Sequence, residues 1–287
     1  MGKFQKFNIG SLECIALYDS EIELPFHKVF PTAKSSILKK VAPTIQMGFN
    51  YLFIKSDKYN VLIDTGRGNG ELLNSIEEAG VFLSSIDYII LTHCDADHVS
   101  GLQQYAMEDR RLKAFRQTKV IMPKRMWNLW TKRASKQKLI KEFENTPFIK
   151  NSSEEKKEVS IVARKRWANE HLPNLKNKIS LEEEEKTFLG IFKFIYAPGH
   201  RSDHFAILIE SEGEHLLHIA DAFRHSSQIT VPKLHSMYDS YPQTLYKTIQ
   251  ELYNLAKTKK AVIFGTHFPF PGLFEIKENE VLYNKNF

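Results

Sequence analysis

Two histidines and two aspartates lie within one six-residue segment, His93-Cys94-Asp95-Ala96-Asp97-His98. It follows the mostly apolar run Ile86–Leu91, which predicts a short buried strand. Alternate side chains of an extended segment lie on one side, so residues 93, 95 and 97 can converge. A turn at residues 97 and 98 would let His98 reach a second cation about 3.5–4 Å from the first. The spacing therefore predicts a loop with ligands for two metal ions; alternatively, Asp97 caps a helix and the histidines are exposed.

Strand patterns occur on both sides of this segment. Alternating or apolar runs predict strands at Phe7–Leu17, Asn50–Lys55, Tyr59–Ile63, Phe192–Tyr196, Phe205–Ile209, Leu216–Ala220 and Ala261–Gly265. Apolar residues at helical spacing predict helices from Leu72 to Gly80 and near Pro242–Ala256. We therefore expect an α/β (α+β) protein with two β-rich halves and helices outside them.

The residues between the two halves, about 124–186, are charged and rich in helix formers. Within them, Arg125–Trp130 indicates an amphipathic helix. We interpret this region as a helical insertion in a single domain that spans residues 1–287. The proline-containing segment Glu23–Gly48 is expected to be a long loop near the mouth of the site.

Three later segments place further candidate ligands at the ends of predicted strands. They are Ala197-Pro198-Gly199-His200, Ile219-Ala220-Asp221-Ala222 and Gly265-Thr266-His267-Phe268-Pro269-Phe270-Pro271-Gly272. Taken alone, His200 could be a turn histidine and Asp221 a helix cap. Their joint placement at strand ends, where side chains can line one edge of a sandwich, favours a common site.

The pattern His-x-Asp-x-Asp-His after a strand resembles the signature of the metallo-β-lactamase superfamily, which is usually His-x-His-x-Asp-His. The later segments resemble the other family motifs in family order, and Leu62-Ile63-Asp64-Thr65-Gly66 is similar to the turn before the first motif, where the aspartate is usually structural. The resemblance spans about residues 49–272 and implies a four-layer αββα sandwich. It also implies two divalent metal ions, held by His93, Asp95 and His200, by Asp97, His98 and His267, and by Asp221 as the bridge.

Asp95 is the departure from the family pattern, because most members have histidine at that position. A carboxylate adds negative charge and a harder oxygen donor. Zinc is the expected metal, and Asp95 makes manganese or iron an alternative. Cys94 alternates away from its neighbours and is expected to be buried and inert, while His204 has a weaker claim as a ligand than His200.

The resemblance implies hydrolysis by a metal-bridging hydroxide, with Asp97 as the catalytic residue that holds or shuttles the proton. The block that begins at His267 looks most like the branch of acyl-homoserine lactonases and organophosphate hydrolases. Its aromatic and proline residues suit a neutral, partly hydrophobic small molecule. A lactone or ester is therefore the expected substrate, and Tyr238 or His235 could reach it.

Three other functions stay open. The His-x-Asp-x-Asp-His variant also resembles the nuclease-like domain of bacterial DNA-uptake proteins, and the chain has a formal charge of +6, so a phosphodiesterase is the first alternative. A thioesterase of the glyoxalase II kind is the second. A metal-binding sensor whose pocket is occluded by the helical insertion is the third.

Composition and sequence pattern limit the expected cellular location and partners of the protein. Its two cysteines, Cys14 and Cys94, are too few for a disulfide framework, and we see neither a secretory signal nor an apolar stretch long enough for a membrane span. We expect a cytoplasmic enzyme with a small-molecule substrate and no membrane association. Nucleic acid is a less favoured partner, and the sequence leaves the oligomeric state open.

Overall fold

The structure is a computed structural model and describes residues 2–106, 117–184, 186–231, 233–277 and 280–283. Its strands are β1 (Phe4–Ile9), β2 (Leu12–Pro25), β3 (Thr44–Lys55), β4 (Asn60–Ile63), β5 (Tyr88–Ile90), β6 (Lys119–Pro123), β7 (Ile179–Glu182), β8 (Thr187–Phe188), β9 (Phe192–Tyr196), β10 (Phe205–Ser211), β11 (Glu214–Ala220), β12 (Val262–Gly265), β13 (Leu273–Lys277) and β14 (Glu280–Tyr283). Its α-helices are α1 (Phe26–Val29), α2 (Ser35–Leu38), α3 (Leu72–Glu78), α4 (Ala96–Ala106), α5 (Lys124–Thr131), α6 (Arg133–Glu144), α7 (Pro147–Lys150), α8 (Glu154–Arg166), α9 (Leu172–Asn174), α10 (Ser227–Thr230) and α11 (Pro242–Lys259).

The first sheet contains β1 to β7 in chain order. Strands β1 to β4 form an antiparallel meander, and β4 to β7 pair in parallel. Parallel neighbours need a crossover connection, which α3 supplies between β4 and β5. The mixed sheet therefore brings the C-terminal ends of β4 and β5 to one edge.

The second sheet contains β14-β13-β12-β11-β10-β9-β8 in spatial order. Its one parallel pair among the described residues is β11 with β12, and α11 is the crossover between them. Helix α11 begins with Pro242, which suits the first helical position, and its C-cap is Lys260 in the left-handed conformation. The C-terminal ends of β11 and β12 thus also lie side by side.

The two sheets pack face to face around a shared apolar core. Side chains of the first sheet, such as Tyr51 and Leu62, belong to one buried cluster with Ile207 and Phe264 of the second. Helix α11 covers the opposite face of the second sheet through buried residues that include Leu245 and four others of the same face, namely Thr248, Ile249, Leu252 and Ala256. The predicted α/β sandwich of two sheets with outer helices is confirmed.

The segment expected to be a long loop is loop only at residues 30–34 and 39–43; its two ends belong to β2 and β3, and α1 and α2 lie between them. Strands β2 and β3 continue past the sheet as a two-stranded ribbon, with pairs from Glu21 opposite Gly48 to Pro25 opposite Thr44. Side chains that alternate along the ribbon pack with Phe26 and Phe30 in a separate small cluster, to which Ile22, Leu24, Ile45 and Met47 belong. The loop prediction was wrong because the prolines lie at or beyond the ends of these strands, where proline is tolerated.

The predicted helical insertion contains helices α5 to α9, and Met126 and Trp130 form the buried face of its first helix. One short strand, β7, was not predicted; it pairs in parallel with β6. One residue of this insertion, Glu185, lies outside the described residues. The assignment of the chain to a single domain stays a prediction. No helix in the described part of the chain has the length and apolar character needed to cross a membrane.

Asn50 connects the first sheet to the loop after β12 and provides a test of this architecture. Its buried side-chain amide donates hydrogen bonds to the carbonyls of Thr266 and Phe268, at 3.2 and 2.7 Å. The substitution Asn50→Ala leaves both carbonyls without this donor, so we expect a loss of about 1–3 kcal/mol in the free energy of unfolding. Denaturant unfolding measures the loss; the exposed Asn74→Ala is the control, and an unchanged midpoint for Asn50→Ala would contradict the role.

Candidate functional site

Four loops that follow strand ends meet at one edge of the sandwich. The loop after β5 carries His93 and Asp95 and runs into α4, whose first turn contains Asp97. Asp221 follows β11 directly, and His267 lies two residues after β12. The fourth loop, after β9, contains His200. Neighbouring strand ends explain why residues that are far apart in sequence become neighbours.

The side chains form two groups that could each hold a metal ion. Ligand atoms of Asp97, His98, Asp221 and His267 lie within 4.8 Å of one another, as do those of His93, His200 and Asp221. Asp221 belongs to both groups. Its Oδ1 lies 3.1 Å from His98 Nε2, and its Oδ2 lies 3.0 Å from His267 Nε2 and 3.4 Å from His200 Nε2. One carboxylate therefore lies between the groups.

Each of the four histidines presents Nε2 to the centre because an acceptor holds its Nδ1. The acceptors are Thr92 Oγ1 for His93 (3.1 Å), Asp64 Oδ2 for His98 (2.7 Å), Asp239 Oδ1 for His200 (3.0 Å) and the Gly48 carbonyl for His267 (3.0 Å). Such outer contacts fix the tautomer and the ring orientation of metal-binding histidines. The arrangement is typical of a metal site and atypical of a packed core.

Three buried atoms at the centre form no hydrogen bond among the described residues: His93 Nε2, His98 Nε2 and Asp221 Oδ1. Buried polar atoms normally have partners, because an unsatisfied one costs stability. All three are lone-pair donors of the kind that divalent cations bind. The residues present therefore fit a pair of metal ions.

Asp221 is held on its backbone side as well as by its carboxylate. Its N–H donates to His204 Nε2 at 3.0 Å, and the preceding Ala220 has φ of +46°, a conformation that non-glycine residues adopt rarely. Arg224 Nη2 contacts Asp221 Oδ2 at 2.6 Å. The strained turn persists because these contacts fix it, as at many functional sites.

His204 has a different role from the four converging histidines. Its Nδ1 donates to the Ala197 carbonyl at 2.8 Å, and its Nε2 accepts from Asp221. Burial, reinforced by the neighbouring His200, lowers the pKa of His204 to about 3. Both ring nitrogens are thus occupied, and His204 orients the Asp221 turn.

Asp95 is paired with two arginines. Arg201 binds both oxygens of its carboxylate, with Nε 3.1 Å from Oδ1 and Nη2 2.7 Å from Oδ2, and Arg164 Nη1 donates to Oδ1. Burial raises the pKa of Asp95, but the two guanidinium groups outweigh it and hold the pKa well below its usual range. Oδ2 is also 3.3 Å from His200 Nε2 and 3.9 Å from His93 Nε2, so a metal-ligand role for Asp95 stays a prediction.

Asp97 is the most exposed acid of the centre, with 26% of its side chain accessible. Its Oδ2 lies 3.4 Å from His267 Nε2 and 3.9 Å from His98 Nε2. Burial favours the neutral acid, but the two imidazoles outweigh it and lower the pKa of Asp97. An ionised carboxylate at the border between protein and cavity can accept a proton.

A cavity of about 600 Å³ opens onto the centre. The ribbon contributes Ile22 and Met47 to its wall, α8 contributes Val159 and Arg164, and Tyr238 also lines it. Five cationic side chains are part of the lining: Arg67, Lys156, Arg164, Arg201 and Arg224. His235, the other candidate substrate contact, is not among the lining residues and bonds the Lys233 carbonyl through Nδ1 at 3.1 Å.

Several residues of the site had no sequence signal. Arg164 and Asp239 come from segments without a motif, whereas Arg201 and Arg224 follow the motif residues His200 and Asp221 but carried no signal of their own. Only the fold shows that all four lie at the centre. The expected burial of Cys94 is confirmed: it lies beside Met126, and burial raises the pKa of its thiol well above the usual range. Its expected inertness stays a prediction.

A family model described as the metallo-beta-lactamase superfamily matches residues 48–267 of this chain. The solved structure of AidC, a dizinc quorum-quenching lactonase in complex with a product, N-hexanoyl-L-homoserine, has a TM-score of 0.83 at 24% identity and covers 100% of this chain and 99% of that one. The hydrolase AbOPH of the beta-lactamase superfamily has a TM-score of 0.79 at 19% identity, with the same coverage. At these identities the likeness concerns the fold.

A shorter sequence match links the chain to a phage protein. The anti-Pycsar protein Apyc1 of Bacillus phage BSP38 is 34% identical over 65 residues, which are 23% of this chain. The match spans 24% of the length of the phage protein.

Asp64 tests whether the outer contacts matter for metal binding. It is fully buried and has φ of +61°, which asparagine tolerates, so Asp64→Asn keeps the shape while removing the charge that faces His98 Nδ1. We expect zinc affinity to fall about 10–100-fold, because the imidazole loses basicity and orientation. Isothermal titration calorimetry measures it. The exposed Asp87→Asn is the matched control, and equal zinc affinity in both variants would contradict the role of Asp64.

Proposed function

Because the chain belongs to the metallo-beta-lactamase superfamily, we propose that it is a dinuclear metal-dependent hydrolase of a lactone or ester. The observation that carries the proposal is the position of Asp221. Its Oδ1 lies 3.1 Å from His98 Nε2, and its Oδ2 lies between His267 of the same group, at 3.0 Å, and His200 of the other group, at 3.4 Å. A carboxylate between two sets of histidine nitrogens is an arrangement that suits a pair of divalent cations.

The proposed ligands are His93, Asp95 and His200 for one cation, Asp97, His98 and His267 for the other, and Asp221 between them. Histidine nitrogens favour zinc, and the carboxylates make manganese or iron the alternative. The chemistry that bound cations supply is a lower pKa of water, from about 15.7 toward 7. Asp97 Oδ2, at the cavity border, then holds the proton and delivers it to the leaving oxygen.

The cavity supports a small substrate with an apolar part. Its wall contains Met47, Phe49, Phe148 and Tyr238. Burial against such side chains suits an acyl chain, while the metal ligands lie at the base of the cavity. The fold likeness to AidC, a quorum-quenching lactonase, and to the hydrolase AbOPH supports the same choice.

Two free, buried cysteines are in keeping with a cytoplasmic location.

The third alternative was a metal-binding sensor whose pocket is occluded by the helical insertion. The cavity of about 600 Å³ that opens onto the centre argues against it. No contact of the described residues specifically favours a thioesterase.

The proposed roles of Asp97 and His98 are tested by Asp97→Ala and His98→Ala. Each variant removes a metal ligand, and Asp97→Ala also removes the proton acceptor, so we expect kcat/KM for ester and lactone substrates to fall at least about 100-fold. Hydrolysis is measured after metal loading, with metal content and circular dichroism recorded for each protein. The exposed Asp57→Ala is the control. Substantial turnover by a folded, metal-loaded Asp97→Ala protein would refute the assignment.

Phosphodiester hydrolysis is the second candidate, and the five cationic side chains of the cavity lining favour it. The two functions differ in their response to salt. For a neutral lactone we expect kcat/KM to change less than about twofold between 50 and 200 mM salt, whereas binding of an oligonucleotide falls steeply as counterions compete. Parallel kinetics with a lactone and a single-stranded oligonucleotide measure the difference. Faster, salt-sensitive cleavage of the oligonucleotide would replace the first proposal by the second.

A further inference from the structure

The two halves of the proposed metal centre contain the same kinds of ligand. The Asp95 position consists of His93, Asp95 and His200, the Asp97 position consists of Asp97, His98 and His267, and Asp221 is shared between them. Each position thus has two imidazoles, one carboxylate of its own and one shared carboxylate. In each, a buried acid holds one imidazole, Asp239 that of His200 and Asp64 that of His98. The ligands alone therefore predict similar affinities for a divalent cation.

Arginine N–H groups occupy most of the carboxylate of Asp95. Arg201 Nε lies 3.1 Å from Oδ1 and Arg201 Nη2 lies 2.7 Å from Oδ2, while Arg164 Nη1 donates to Oδ1. A carboxylate has about four lone-pair positions, so these contacts leave about one of them for a cation. It belongs to Oδ2, which lies 3.3 Å from His200 Nε2. A cation at the Asp95 position therefore competes with two guanidinium groups.

Asp97 has no such competitor at the other position. Its Oδ2 lies 3.4 Å from His267 Nε2 and 3.9 Å from His98 Nε2, and both imidazoles are proposed ligands of the same cation. Within the described ranges, no arginine or lysine nitrogen lies within 4.0 Å of the Asp97 carboxylate. The side chain is 26% exposed, so a cation that binds it displaces water and not a buried ion pair.

Two further acids, Asp203 and Glu142, lie near the arginines of Asp95. They accept hydrogen bonds from other groups, and in the described part of the chain neither forms an ion pair with these arginines. They weaken the positive field of the arginines but remove no N–H group from Asp95. The carboxylate that binds both Arg164 and Arg201 is thus a proposed metal ligand.

The remaining charges of the centre do not reverse this difference. Arg224 contacts Asp221, which both positions share, and Asp239, whose charge opposes its own. The N-terminal end of α4 lies beside Asp97 and disfavours a cation there, but its partial charge is about half a unit. The two full charges beside Asp95 are larger, so they decide which position is the weaker one.

We propose that a divalent cation fills the Asp97 position first, and that the Asp95 position binds it more weakly because Arg164 and Arg201 compete for Asp95. This inference rests on the proposed dinuclear hydrolase function. Occupancy of the Asp95 position then follows the supply of metal, and hydrolysis that needs both cations begins only when that position is filled.

Two matched double variants test which position is filled first. His93→Ala/His200→Ala removes both imidazoles of the Asp95 position, and His98→Ala/His267→Ala removes both imidazoles of the Asp97 position. Each variant keeps Asp221 and leaves one buried acid without its histidine. We expect the zinc dissociation constant to be at least about tenfold larger for His98→Ala/His267→Ala. Competition with a chromophoric zinc chelator measures both constants, and circular dichroism checks that each protein is folded.

Arg164→Gln tests the cause in the otherwise unchanged protein. Glutamine keeps a hydrogen-bond donor for Asp95 but removes one positive charge. We expect the dissociation constant of the second zinc equivalent to fall at least about threefold and that of the first to stay within about twofold. Arg164→Lys keeps the charge and is the matched control. Arg166→Gln removes an exposed charge of the same helix, and we expect neither control to tighten the second equivalent.

Zinc binding by His98→Ala/His267→Ala as tight as by its counterpart would overturn the inference, and so would equal affinities of Arg164→Gln and Arg164→Lys for the second equivalent. If a double variant does not fold, the Arg164 pair decides. Zinc binding is measured without substrate. A protein that binds two equivalents in the expected order but hydrolyses neither esters nor lactones would therefore refute the proposed function and leave this inference standing.

Discussion

The hydrogen bond between a buried acceptor and the Nδ1 of each converging histidine is the interaction on which the candidate site depends. Without it, an imidazole ring could turn and direct either nitrogen inward. Asp64, Thr92 and Asp239 come from three different loops and the Gly48 carbonyl from β3, so the orientation of the four rings requires the complete sandwich. Metal binding and folding are consequently coupled: the loops define the centre, and cations at the centre would stabilise the loops.

The topology explains why a few strand ends are sufficient to bring the candidate metal ligands together. Each sheet contains parallel neighbours whose C-terminal ends lie together, β4 with β5 in one and β11 with β12 in the other. The face-to-face packing of the sheets then aligns these ends along one edge. The ribbon formed by β2 and β3, together with α8, extends beyond that edge and encloses the cavity.

Much of the fold and of the centre could be predicted from the sequence. The family match confirms the predicted superfamily and metal-dependent hydrolase class, and the structure brings His93, His98, His200, Asp221 and His267 together. These residues were recognisable because each lies in a short motif at the end of an apolar run. Arg164, Arg201 and Asp239 were not, since their roles arise from contacts between segments that are distant in sequence. The ribbon was missed because its prolines drew more weight than the alternation of Ile22 with Leu24.

The ion pairs of Asp95 with Arg164 and Arg201 join three parts of the chain that are distant in sequence: the loop after β5, the loop after β9 and helix α8. Any outward movement of α8 would separate Arg164 from Asp95 and leave charges unpaired in a region of low polarity, which is strongly unfavourable. The ion pairs of Asp95 therefore oppose movement of α8 away from the centre. For the proposed hydrolase, the width of the opening beside α8, more than a closing motion of the helix, would then limit which molecules reach the centre.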